Sequence, residues 1–119
     1  LLLFNNRPHE ELPAFLQAAD ALILSSSYEG SPNVVKEAMA CNLPVVSTPV
    51  GDVPTLLNGV HNSQICDGIS ESLATGLRSV IKDGLPSTGR EKIAPLSSDA
   101  IAGRILNIYH DVLNRRPSR

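Results

Sequence analysis

Short, uninterrupted apolar runs alternate with amphipathic stretches along this chain. Each run is bounded by Asn, Asp, Ser, Pro or Gly. Apolar runs of this length without a polar alternation are typical of strands that are covered on both faces of a sheet. Strands that alternate with helices favour parallel βα units. The pattern therefore predicts an α/β fold, with a parallel sheet of about four strands and helices on both faces.

The predicted elements follow the apolar periodicity and the turn residues. Strands are predicted at residues 1–4, 21–24, 44–48 and 63–66. Helices are predicted at residues 13–19, 34–41 and 54–57, from 70 to about 82, around 89–94, and from 98 to 113, with a frayed tail at 114–119. Ser70 and Ser98 are the predicted N-caps, because a serine hydroxyl accepts a hydrogen bond from an unpaired N–H group of the first turn. Asn42 is expected to adopt a positive φ just after its helix.

Composition excludes several classes of protein. The chain has 119 residues and a net charge of -2, whereas a nucleic-acid-binding domain is usually strongly basic. Its two cysteines form neither a disulfide framework nor a four-cysteine zinc site, and no other spacing of metal ligands is present. The chain opens Leu1-Leu2-Leu3-Phe4 and its single methionine is Met39, so we expect it to be a piece of a longer protein.

The residues with the most chemical content lie between the second and third predicted strands. A loop containing Gly30 leaves the strand and enters a helix at Pro32 or Asn33. Unpaired N–H groups and a partial charge of roughly +0.5 e make such a helix start suitable for a phosphate or diphosphate. Glu29 and Glu37 flank this position, and carboxylates accept hydrogen bonds from sugar hydroxyls. The combination suggests a ligand with hydroxyl groups on both sides of a diphosphate, such as a nucleotide-sugar.

The whole string resembles a known signature. Residues 28–46 read Y-E-G-S-P-N-V-V-K-E-A-M-A-C-N-L-P-V-V. They resemble the Glu-x7-Glu pattern of group-1 retaining glycosyltransferases, E-G-x-P…E-A-M-A-x-G-x-P-V-V. Residues 12–27, the Gly51–Pro54 turn and residues 99–109 are similar to flanking parts of that family, so the resemblance covers most of the chain. Asn42 replaces the usual Gly, and Thr55 stands where Glu often follows the turn.

The resemblance implies a fold and a set of roles. The family has the GT-B fold, in which the active site lies between two Rossmann-like domains and the C-terminal domain binds the nucleotide-sugar. Residues 1–119 would be a fragment of that domain. Glu29 would be the catalytic residue that contacts the transferred sugar, and Glu37 would bind the ribose. The backbone of the intervening loop would bind the donor sugar and diphosphate, through Gly30, Ser31, Pro32, Asn33 and Val34.

The resemblance also implies what the fragment lacks. The family's cationic Arg and Lys precede the position of Leu1, and an N-terminal domain binds the acceptor, a glycan or a lipid-linked molecule. We expect the isolated chain to be inactive, to need no cofactor or metal, and to bind no nucleic acid. The parent is expected to be cytoplasmic, with peripheral association at the inner membrane face left open. We also expect residues 1–4 to pair directly with the strand at 21–24, because unpaired apolar edges are costly.

Two other functions fit the same scaffold. One is a non-catalytic module that binds a nucleotide or nucleotide-sugar. The other is a GT-B-fold epimerase that acts on a nucleotide-sugar. The Glu-x7-Glu string fits a transferase better than either alternative.

Overall fold

The computed structural model describes residues 3–115 of the chain. The helices are α1 (Leu12–Ala18), α2 (Asn33–Ala40), α3 (Val53–Leu57), α4 (Ser70–Asp83), α5 (Gly89–Ile93) and α6 (Ser98–Asn114). The strands are β1 (Leu22–Leu24), β2 (Val45–Ser47) and β3 (Gln64–Ile65), and 3-10 turns span His9–Glu11 and Ala94–Leu96. Each predicted helix is present, with ends that differ by at most one residue.

The three strands form an open parallel sheet in the order β1-β2-β3. Ile23 pairs with Val46 in the first ladder, and Ser47 pairs with Ile65 in the second. The predicted α/β class with a Rossmann-like parallel sheet is confirmed, with three strands in place of about four among the described residues. Because all three strands are parallel, their carboxyl ends lie at one edge of the sheet.

The expectation that residues 1–4 form a further strand paired with β1 is wrong for Leu3 and Phe4. Leu1 and Leu2 lie outside the described residues. Leu3 and Phe4 are not in a strand, and they are 79% and 53% exposed. Asn6, with a φ of 52°, and the following proline turn the chain into the 3-10 turn and α1. The Phe4 ring therefore packs on Phe15 of α1, at a centroid distance of 4.8 Å, and not beside β1.

Two apolar clusters cover the two faces of the sheet. Val45 of β2 is fully buried in the larger cluster with residues of α1, α2, α3 and α5. Its neighbour Val46, which points to the other face, packs with Cys66 and with Leu73 and Val80 of α4. Helices thus lie on both faces of the sheet at β2, whereas the continuous apolar run at residues 21–24 predicts the same cover for β1. β1 is less covered, since Ile23 is 42% exposed.

Two predicted helix caps are displaced by one residue. The N-cap of α6 is Ser97, whose hydroxyl accepts from the N–H of Ala100, and not Ser98. The N-cap of α4 is Ile69, and Ser70 is the first helical residue. A cap must have extended backbone angles, and in both cases the residue before the predicted serine has them. Asn42 has the expected positive φ of 55°.

Polar contacts hold the segment after α4, where the sequence pattern is least regular. The carbonyl of Asn42 accepts from the N–H of Ser87, and its side-chain oxygen accepts from the N–H of Arg90. The Asn62 amide donates to the carbonyls of Val80 and Leu85. The Asn42 contacts hold the start of α5 near the end of α2, and Ile93 of α5 belongs to the larger cluster. The Asn62 contacts hold the chain where it leaves α4.

The helix α6 lies where the sequence predicts an amphipathic helix, but none of its residues is buried. Its apolar side chains, from Ile101 to Leu113, are between 39% and 62% exposed. Asn114, the first residue of the tail that is predicted to fray, is the last residue of α6, and residues 116–119 lie outside the described residues, so the frayed tail stays a prediction. No helix among residues 3–115 is both long enough and apolar enough to cross a membrane.

Candidate functional site

Three loops leave the carboxyl edge of the sheet: the β1–α2 loop (residues 25–32), the β2–α3 loop (48–52) and the β3–α4 loop (66–69). Thr48 connects the first two, because its N–H donates to the carbonyl of Leu24 at 3.0 Å and its hydroxyl donates to the carbonyl of Ser26 at 2.6 Å. The β3–α4 loop lies beside them, since an ideal Cβ on Gly68 would be 3.3 Å from the Thr48 methyl group. The loops therefore form one continuous surface.

The β2–α3 loop packs on Gly30 of the β1–α2 loop. The N–H of Asp52 donates to the carbonyl of Gly30 at 3.2 Å. Gly51 has a φ of 52°, and a Cβ atom there would lie 2.0 Å from the same carbonyl oxygen. Only glycine fits at this position, for conformational and steric reasons together. The position of Gly30 is consequently set by the neighbouring loop.

Side-chain hydrogen bonds also join these two loops. The Lys36 ammonium donates to the Ser31 hydroxyl at 2.5 Å, and the same hydroxyl donates to Asp52 Oδ2 at 2.5 Å. Ser31 is exposed, whereas Lys36 and Asp52 are half-buried. These bonds join the last part of the β1–α2 loop, the fourth residue of α2 and the start of α3.

The helix α2 begins at this surface. Its N-cap is Pro32, which offers no side-chain acceptor, and its first turn holds no acidic residue. The N–H groups of the first turn, from Asn33 onward, therefore keep their donor capacity, and the positive end of the helix dipole is not neutralised by a carboxylate in that turn. The helix is anchored by Val35, Ala38 and Met39, which are fully buried.

The two predicted carboxylates lie in different surroundings. Glu29 is half-buried in the β1–α2 loop, where its Oε1 accepts from the Ser26 hydroxyl at 3.0 Å. Glu37 is one turn into α2, with its Oε1 3.5 Å from His9 Nε2. It lines a groove of about 280 Å³ between α1 and α2, to which Arg90 also contributes. The action of the two carboxylates on one ligand stays a prediction.

Sequence reasoning placed Glu29, Gly30, Ser31, Pro32, Asn33 and Val34 on one continuous stretch, which the structure shows as a loop and the first turn of α2. In the β2–α3 loop, the sequence indicated only the Gly51–Pro54 turn. The contacts of Asp52 and Lys36 with Ser31 were missed. The adjacent ends of parallel strands are the signal that could have indicated them. In the described range, 3–115, no group of three or more His, Cys, Asp or Glu side chains is placed to hold a metal ion.

Comparison with known proteins agrees with this fold and this surface. A family profile described as "Glycosyl transferases group 1" matches residues 3–83, and the chain belongs to that family. Its match ends with α4 and includes all three loops of the carboxyl edge.

Several curated relatives, two of them named as synthases and one as a glycosyltransferase, are similar to parts of this chain. The chain is 27% identical to N-acetyl-alpha-D-glucosaminyl L-malate synthase of Bacillus anthracis over 111 residues, which are 87% of this chain and 29% of that protein. It is 33% identical to glycogen synthase of Mycobacterium tuberculosis over 87 residues, 72% of this chain and 21% of that protein. It is 39% identical to D-inositol 3-phosphate glycosyltransferase of Corynebacterium jeikeium over 62 residues, 52% of this chain and 15% of that protein.

The chain thus spans less than a third of the length of each of these relatives. No solved structure matches it significantly.

Proposed function

We propose that residues 1–119 form part of the nucleotide-sugar-binding domain of a GT-B glycosyltransferase that transfers a sugar to a hydroxyl acceptor with retention of anomeric configuration. Membership of the group-1 family supports sugar transfer as the activity. The short share of each relative that the chain covers supports a larger parent protein. A glycan or a lipid-linked molecule is the proposed acceptor, held by a part of the parent outside this chain.

The proposed donor site consists of the β1–α2 loop and the start of α2. Glu29 contacts hydroxyls of the transferred sugar, and the backbone N–H groups from Gly30 to Val34 hold the sugar and the diphosphate. Glu37 accepts hydrogen bonds from the ribose hydroxyls. No metal or cofactor is part of the proposal, because N–H groups and the helix dipole, together with cations supplied by the parent, can stabilise the leaving diphosphate.

One observation carries this proposal most strongly. The β1–α2 loop is held at Gly30 by the hydrogen bond from Asp52 and by the close packing of Gly51. It leads into the start of α2, which has no side-chain cap. A fixed glycine loop followed by a helix N-terminus suits the close approach of a phosphate to the backbone. Phosphate-binding loops of this kind occur at the carboxyl edges of parallel sheets.

Kinetics of the full-length protein with Glu37→Ala and Glu29→Ala test the two carboxylates. Loss of a charge-assisted hydrogen bond to ribose should raise the donor KM about tenfold or more for Glu37→Ala, with a smaller effect on kcat. Glu29→Ala should lower kcat by about 10²-fold, because the proposed contact is with the reacting sugar. Glu91→Ala, an exposed carboxylate on α5, is the control. Wild-type kinetics in both site variants would contradict the assignment.

The product distinguishes the remaining possibilities. The anomeric configuration of the product, measured by NMR, should match that of the donor. Binding of a nucleoside diphosphate without any sugar transfer would instead identify a non-catalytic binding module. Conversion of the nucleotide-sugar into its epimer in the absence of an acceptor would identify an epimerase. The isolated 119 residues are expected to show no transfer, and measured transfer by this piece alone would be contrary to the proposal.

A further inference from the structure

Asp52 occupies a helix N-cap but does not cap its helix. It precedes α3, and its side chain makes no hydrogen bond to the N–H groups of the first turn. An aspartate at this position normally accepts from the second or third N–H group of its own helix. Here Oδ2 accepts from Ser31, 21 residues earlier in the chain. The carboxylate therefore joins the β2–α3 loop to the β1–α2 loop and does not cap α3.

The other oxygen of this carboxylate supports the same interpretation. Asp52 Oδ1 is buried and, within residues 3–115, has no hydrogen-bond partner. A buried carboxylate oxygen without a partner opposes folding, because it has lost its contact with water. The side chain keeps this unfavourable orientation while Oδ2 bonds to Ser31. This orientation allows Oδ2 to bond to Ser31 and so to hold the β1–α2 loop.

Asp52 also brings a negative charge close to the proposed diphosphate site. Its backbone N–H bonds to Gly30 and its side chain to Ser31, and both residues belong to the proposed donor loop. An uncompensated carboxylate there would repel a diphosphate. The Lys36 ammonium bonds to the same Ser31 hydroxyl at 2.5 Å, so one hydroxyl joins a positive and a negative group. The net charge of the three residues is zero.

From these contacts we infer that Asp52 is a positioning residue for the donor loop, acting through Gly30 and Ser31, and that Lys36 cancels its charge beside the diphosphate. The inference rests on the proposed donor site and adds to it a function for three side chains. According to this inference, Lys36 strengthens donor binding mainly by compensating the charge of Asp52. A variant that loses both charges should consequently bind the donor better than a variant that loses only the lysine.

The test is diphosphate binding by the full-length protein, measured by calorimetry with UDP, GDP, ADP, CDP and dTDP as probes. Lys36→Met should raise the Kd of the bound diphosphate about tenfold, because one charge-assisted contact is lost and Asp52 is left uncompensated. Asp52→Asn alone should raise it by about threefold, because the loss of the carboxylate bond that positions Ser31 outweighs the relief of a repulsion that Lys36 already compensates. The double variant should bind at least about threefold more tightly than Lys36→Met.

Lys92→Met on α5 and Asp20→Asn, before β1 at the opposite edge of the sheet, are the matched controls and should keep the wild-type Kd. Ser31→Ala removes the bridging hydroxyl and should weaken binding, and Ser31→Thr should recover part of the loss. In sugar-transfer kinetics the donor KM should rise in the weakened variants while the acceptor KM stays constant. All variants should unfold at temperatures close to that of the wild type.

The outcomes separate this inference from the proposed function. A double variant that binds as weakly as Lys36→Met, or more weakly, would overturn the charge compensation. Wild-type affinity in both single variants would overturn the positioning role while the donor site stands. A wild-type protein that binds none of the five diphosphates would overturn the donor site and this inference together.

Discussion

At the scale of single residues, Gly51 limits how closely the β1–α2 and β2–α3 loops of the proposed donor site can approach each other. It combines a left-handed backbone with a close approach to the carbonyl of Gly30. Both conditions exclude a side chain, and each is sufficient to make a substitution unfavourable. The two loops can therefore meet only if this residue is glycine.

Gly51→Ala should lower the free energy of unfolding by about 2–5 kcal/mol, the sum of a left-handed backbone penalty and a steric clash. Gly59→Ala is the matched control, because Gly59 also has a positive φ, of 76°, but has no atom within 4 Å of the added methyl group. It should lose only the backbone term of about 1–2 kcal/mol. Urea unfolding of both variants measures the difference, and equal losses would show that the loops move apart without cost.

The sequence predicted the residues of the site but not the contacts among them. The spacing of Glu29 and Glu37 and the glycine between them are local features that can be read along the chain. The bond between Ser31 and Asp52 joins residues 21 positions apart, and it depends on the parallel pairing of β1 and β2. Nothing in the local pattern specifies which polar side chains of two strand ends will meet.

At the scale of elements, α2 and α5 pack closely at a glycine of α5. An ideal Cβ on Gly89 would lie 2.8 Å from the Cα of Met39, which is itself fully buried. The start of α5 consequently packs directly on the backbone of α2, the helix that begins at the proposed donor site. The irregular sequence around Gly89 is explained by this packing and by the polar bonds of Asn42.

Gly89→Ala should destabilise the protein by about 1–3 kcal/mol, because the added methyl group meets backbone that cannot move freely. Gly103→Ala on α6 has no atom within 4 Å and replaces a poor helix former, so it should leave the stability unchanged or raise it by up to about 1 kcal/mol. Thermal unfolding of the two variants distinguishes these effects. A neutral Gly89→Ala would show that the α2–α5 contact is looser than the structure indicates.

Element positions were largely predictable, and their exact ends were less so. Apolar periodicity predicts α1, α2 and α4 because each buries one face, and Gly84, with a φ of 68°, ends α4 as expected. The serine that caps α6 is Ser97 and not its neighbour Ser98. Two adjacent serines carry the same side chain, and the backbone conformation of the chain before α6 decides between them.

At the scale of the whole molecule, α6 extends away from the rest of the chain. The molecule measures 65 × 30 × 27 Å, and α6 contributes no buried side chain to either cluster. The 3-10 turn before it provides its contact with the body, where Arg104 donates to the carbonyl of Pro95 at 2.7 Å. Stability of the 119-residue chain should thus depend on the sheet and its helices and not on the apolar stripe of α6.

Substitutions in the buried clusters should lower the free energy of unfolding more than substitutions on α6. Met39→Ala empties a fully buried position and should lower the free energy of unfolding by about 2–5 kcal/mol. Ile108→Ala on α6 removes a side chain that is 60% exposed and should change it by no more than about 0.5 kcal/mol. Urea unfolding of the 119-residue chain measures both. A large loss in Ile108→Ala would mean that the α6 stripe is packed in solution.

The sequence by itself determined the class of fold, the order of strands and helices from α1 onward, and the residues of the proposed donor site. These depend on local periodicity, on turn residues and on a contiguous string of residues. Only the tertiary structure decided that Leu3 and Phe4 lie outside the sheet, that α6 buries nothing, and that Asp52 bonds to Ser31 beside Lys36. Each of these outcomes depends on which distant segments come together, and that is set by strand register and by the packing of helices on the two faces of the sheet.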